Sequence, residues 1–141
     1  MLTTCKRSAN DVIPTVYVHF SISLNDPQFL DLLSPFTYSY IDKYTNNLGQ
    51  SAAGYDENGI IVFRSTEDEF YAFDRTCPHD LEVNNKSVQV KVTDMIFAVC
   101  PECGTKYALT SNGTPYSGVG KYPLKNYRTF FDGLYITVSN Y

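Results

Sequence analysis

From Val16 to Val138 the hydrophobic pattern of this chain runs almost everywhere with a period of two residues, and turn residues interrupt it every few positions. Val16, Val18, Phe20 and Ile22 alternate with Tyr17, His19, Ser21 and Ser23, the signature of a half-buried strand with His19 on its polar side. Phe36 to Ile41 reads as a second strand. Ile60 to Phe63 and Phe70 to Phe73 flank an acidic turn, Ser65 to Glu69, as a hairpin. Val88, Val90 and Val92 pair with Met95 to Val99 across Thr93-Asp94. Lys106 to Leu109 leads into an Asn112-Gly113 turn, and a last hairpin folds about Asp132-Gly133. One helix start is legible: Asp26 as N-cap, Pro27 at the first position, and Phe29, Leu32 and Leu33 on one face toward the core. Many short strands joined by turns predict an all-β architecture of stacked antiparallel sheets.

The 141 residues suffice for one domain with a single core. A net charge of -4 and a pI near 5.0 exclude the basic face of a nucleic-acid binder. No apolar run reaches the roughly 20 residues of a transmembrane helix. The chain divides into an N-terminal tether over 1–14 and one domain over 15–141. Leu2-Thr3-Thr4-Cys5 resembles the end of a bacterial lipobox, without the preceding signal region. Cys5 is therefore either a lipidated N-terminus, which tethers an exported protein to a membrane, or an ordinary cysteine near the end of a cytoplasmic one.

Three of the four cysteines gather late in the chain, in Cys77-Pro78-His79 and Cys100-Pro101-Glu102-Cys103-Gly104. Each group follows an expected strand and falls where a loop begins. Thiolates and an imidazole at tight spacing, in two loops joined by a hairpin, suit a metal centre better than a set of inert buried thiols. Three readings stand at this point. Cys100 to Gly104 has the look of a zinc knuckle, and three Cys with one His make a closed tetrahedral set. Cys77 and His79 at i and i+2 suit two different metal atoms, as in a two-iron cluster. The third reading is an empty, vestigial site.

The segments around these residues resemble the Rieske-type [2Fe–2S] ferredoxins. Cys77-Pro78-His79 and Cys100-Pro101-Glu102-Cys103 are similar to that family's C-x-H and C-x-x-H loops. Gly59 to Asp74 resembles the hairpin entering the first loop, Ser117 to Leu124 the third, cluster-covering loop, and Asp132 to Ile136 the closing hairpin. The resemblance spans roughly the last 80 residues and implies a small metal-binding subdomain over about 75–122. It implies a [2Fe–2S] cluster on Cys77, His79, Cys100 and Cys103, with Cys77 and Cys100 on one iron. Thr105 and Tyr107 stand where hydroxyls donate to cluster sulfurs in high-potential members, or else are a turn hydroxyl and a core tyrosine.

Two departures separate the chain from the family pattern: Cys103 replaces the second-loop His, and Val119 stands where many members have Pro. An added thiolate brings one more negative charge and favours the oxidised cluster. The potential then falls toward the lower end of the range between bis-His centres, about -150 to +300 mV, and all-Cys ones near -400 mV. The implied role is an electron carrier with no substrate site of its own, working with a reductase or oxygenase as redox partner. The alternative is a degenerate protein of the same fold, with zinc or no metal and a non-redox binding role. Eight carboxylates lie between Asp56 and Glu82. Of these, Asp80 and Glu82 are placed to steer a basic partner.

Overall fold

A computed structural model of the protein describes residues 12–140. Among the described residues ten strands form two antiparallel sheets, and the all-β expectation holds. The larger sheet contains β1 (His19–Ser23), β2 (Thr37–Ile41), β3 (Ile60–Arg64), β4 (Phe70–Asp74), β9 (Asn126–Phe131) and β10 (Tyr135–Ser139), in the order β1-β10-β9-β4-β3-β2. The smaller contains β5 (Lys91–Thr93), β6 (Phe97–Val99), β7 (Lys106–Ala108) and β8 (Thr114–Ser117), in sequential order. No helix among the described residues is long and apolar enough to cross a membrane.

The strand patterns decide which core each side chain enters. On β1 and β10, Phe20, Ile22, Ile136 and Val138 turn inward and pair as Phe20 with Val138 and Ile22 with Ile136. They meet Ile60 and Val62 of β3, Ala72 of β4 and Tyr127 of β9 in the first core. β3 is buried along its whole length, because its other face supplies Ile61 and Phe63 to a second core. That second core also takes Phe73, Val88, Val90, Ala98, Tyr107, Leu109 and Leu124, together with Cys77 and Cys100. A strand apolar at every position is what burial on both faces requires.

The expected helix after Asp26 is a 3-10 helix, Pro27–Leu32, and Asp26 Oδ1 accepts the Gln28 N–H at 2.9 Å. Its tighter winding corrects the expected face. Phe29 and Leu32, three residues apart, are buried, whereas Leu33 is turned out and 53% exposed. Arg64 ties this helix to the β3–β4 tip by donating to the Leu32, Thr66 and Glu67 carbonyls. Two other expectations change. Val12 and Ile13, assigned above to the tether, are buried in the body of the protein. Cys5 and the first eleven residues lie outside the described part. The stretch after Cys77 is also not a loop but helix α1 (Pro78–Asn84), stopped by Asn85 in a left-handed conformation.

Because β3 serves both cores, Phe63→Ala removes a fully buried ring from the packing that carries the small sheet. The expected loss is about 3–5 kcal/mol of stability, read by urea denaturation.

Candidate metal centre

The position of Cys77 is set by a buried polar brace just before it. Asp74 is fully buried at the end of β4. It accepts hydrogen bonds from the Tyr127 hydroxyl at 2.6 Å, the Tyr55 N–H at 2.8 Å and the Thr76 hydroxyl at 2.7 Å. Burial raises its carboxyl above the ordinary carboxylate value, and these donors oppose that. The next residue, Arg75, places its guanidinium 3.6 Å from the Tyr40 ring centroid and donates to the Val90 carbonyl. Backbone bonds from Val90 to Arg75 and from Cys77 to Val88 then stitch 75–77 to the segment leading into β5.

Cys77 is the N-cap of α1, with Pro78 at the first helical position. Pro lacks the N–H that would go unpaired there, so the helix starts at once. The third helical residue, Asp80, comes back over the N-cap, and its backbone N–H points at the Cys77 sulfur. Cys100 and Cys103 belong to a tight knuckle after β6. Gly104, at φ +75°, donates to the Cys100 carbonyl, and the Cys100 N–H donates to the Thr105 carbonyl. The N–H groups of Glu102 and Cys103 point at the Cys100 sulfur.

Three of the four ligands expected from sequence come together, and the fourth donor is a different residue. Cys77, Cys100, Cys103 and Asp80 offer donor atoms within 4.8 Å of one another. Cys77 Sγ lies 3.7 Å from Cys103 Sγ, and Cys100 Sγ 2.8 Å from Asp80 Oδ2. His79 is not among the converging donors. It is the second residue of α1, half-buried, and its backbone N–H faces the Tyr107 hydroxyl. Asp80 is not a surface carboxylate for steering a partner, since it is only 2% exposed. Sequence reasoning missed its position beside the thiols because the Cys77 segment read as a loop; Pro78 directly after the N-cap is the signal for the helix.

Thr105 and Tyr107 both reach the thiols. Tyr107 is fully buried, with its hydroxyl 3.3 Å from Cys77 Sγ, and Cys103 Sγ lies 3.1 Å from Thr105 Oγ1. Thr105 also accepts the Gly120 N–H at 3.0 Å, which draws the 117–124 segment over the site. Contact there is backbone to backbone: a Cβ on Gly118 would fall 2.7 Å from Thr105 Cα.

A metal centre must fit these donors. Sulfur bonds of about 2.3 Å at a tetrahedral ion give an edge of about 3.8 Å, close to the Cys77–Cys103 separation. A two-iron cluster splits its ligands into pairs with irons and sulfides between them, so donors on different irons stand further apart than that edge. The observed set, compact and without His79, does not fit a two-iron cluster on three Cys and one His. It fits one ion.

Without metal the thiols hold their protons. Burial, partly offset by hydrogen bonds from Tyr107 and Asp80, pushes the Cys77 thiol up to about 11. Burial, with the Asp80 hydrogen bond, also raises Cys100, and burial raises Tyr107 and Tyr127. Burial would raise Asp80 as well, but hydrogen bonds from Cys100, Asn84, Cys103 and Cys77 hold it below the ordinary carboxylate range. An acid raised in the folded state stays protonated after its unfolded counterpart ionises. The metal-free protein therefore keeps this stability below the ordinary thiol value of 9.0 and loses it as the pH climbs through 11. The loss from Cys77 alone is roughly 2–3 kcal/mol, seen as a falling Tm across that window. Gly118→Ala, strained at φ +100° and blocked by Thr105, is expected to cost roughly 1–3 kcal/mol and to speed alkylation of Cys103.

No protein-family model matches the chain, and no curated protein matches it. Solved structures share its fold, two of them as follows. One is the ferredoxin of carbazole 1,9a-dioxygenase from Nocardioides aromaticivorans IC177, with 18% identity and a TM-score of 0.51 over 90% of this chain and 100% of that one. The other is from the complex of reduced oxygenase and oxidized ferredoxin in carbazole 1,9a-dioxygenase, with 18% identity and a TM-score of 0.53 over 87% of this chain and 94% of that one. The chain thus has the all-β, Rieske-like fold, with a cysteine cluster at its small sheet.

Proposed function

We propose that this protein is an electron carrier of ferredoxin type whose redox centre is iron bound by Cys77, Cys100 and Cys103. The observation that carries this reading is the convergence of three thiols from two loops, inside a fold shared with ferredoxins. Iron held by thiolates supplies one-electron chemistry.

The chain's own residues tune and shield such a centre. The Glu102 and Cys103 N–H groups and the Tyr107 hydroxyl stabilise negative charge on sulfur, which favours the reduced state. The fully buried Cys77, Cys100 and Thr105 and the overlying 117–124 segment keep water away. Cys103 is the least buried of the three thiols and lies nearest the surface a partner can approach. That partner is an oxygenase or reductase, by analogy with the neighbour whose structure is a complex of oxygenase and ferredoxin.

A second reading is favoured by the compactness of the donor set: a structural zinc site in a protein that carries no electrons. Metal analysis and visible absorption of anaerobically purified protein separate the two. The electron-carrier reading expects iron, a coloured protein and reversible bleaching by a chemical reductant. Colourless protein with stoichiometric zinc would replace it with the second reading.

A further inference from the structure

We infer that the centre holds one metal ion rather than a two-iron cluster, with the Asp80 carboxylate as its fourth ligand beside Cys77, Cys100 and Cys103. The inference rests on the reading of the three cysteines as metal ligands, but not on which metal they carry.

Three observations point to Asp80. Its Oδ2 lies 2.8 Å from Cys100 Sγ, within a group of four donors no more than 4.8 Å apart. Its carboxylate is 2% exposed, and among the described residues no ion pair joins it to a cationic side chain. Lys86 acts on Asp80 through space, but its exposed Nζ is paired with Glu102 at 3.0 Å. Asn84 Nδ2 donates to Asp80 Oδ1 at 3.0 Å, which orients the carboxylate and leaves Oδ2 toward the thiols. The buried carboxylate leans on hydrogen bonds from Asn84 and from the Cys100 thiol, and a thiol that ionises withdraws its hydrogen bond and adds a like charge. A divalent ion at their centre supplies the missing charge. The local fold explains why residue 80 serves and residue 79 does not: α1 begins at Pro78, so its third residue returns over Cys77 while its second does not.

The test uses cobalt(II) as a spectroscopic probe on the apoprotein, together with iron and sulfide analysis of native protein. Expected are one cobalt per chain, tetrahedral ligand-field bands and charge-transfer absorption of three thiolates. Asp80→Asn should weaken cobalt affinity by more than about 100-fold, beyond the roughly 10–100-fold that losing a ligand's hydrogen-bond partner costs. His79→Ala should leave affinity and spectrum unchanged. Asp80→Cys guards against a variant that only misfolds: it should bind cobalt with a fourth thiolate's worth of charge-transfer intensity. Two irons with two acid-labile sulfides per native chain would overturn the inference, as would loss of cobalt in His79→Ala or an unchanged three-thiolate spectrum in Asp80→Cys. Native zinc would overturn the electron-carrier reading and leave this inference standing.

Discussion

The β3–β4 hairpin is the constraint on which the rest of the structure depends. Its first strand is apolar at Ile60, Ile61, Val62 and Phe63, and each face of the strand closes a different core. A strand with only one apolar face would support the larger sheet and leave the small sheet with nothing to pack on. The cysteine-bearing region is therefore seated on the main body through its own hydrophobic core, which Phe73 and Leu124 complete.

Polar interactions convert that seat into a site. The end of β4 holds Asp74 in a dry environment, and its hydrogen bonds to Tyr127, Thr76 and the Tyr55 N–H fix the backbone that leads to Cys77. Each acceptor there is matched by a donor, as burial demands. The knuckle at Cys100 to Gly104 and the loop over Thr105 bring the other two sulfurs to the same point. What results is a pocket of acids, three thiols and a carboxylate, whose donor atoms lie close enough together to hold a cation.

The fold was legible because strand signals are local. Alternation marks Phe20, Ile22, Ile136 and Val138, and Asp132-Gly133 marks its hairpin, with Gly133 at φ +101°. Asp132 Oδ1 secures that turn by accepting the Leu134 and Tyr135 N–H groups. Short helices were harder to read. The seven residues of helix from Pro78, about two turns, are too few to show a period, and β8 has no alternation because its side chains are mostly exposed. The outward turn of Leu33 follows from the difference between three and 3.6 residues per turn, which pattern alone does not show.

By itself the sequence determined the class of fold, the two cysteine segments and the chemistry they share, because turn residues, two-residue alternation and thiol spacing are properties of neighbours along the chain. Only the tertiary structure decided which donors meet. Cys77 and Cys103 stand 26 residues apart, and their sulfurs are brought to 3.7 Å by sheets packed across a common core. Whether residue 79 or residue 80 joins them depends on where a helix begins. A shift of one residue there turns a side chain by about 100° around the helix axis, and no local spacing records it.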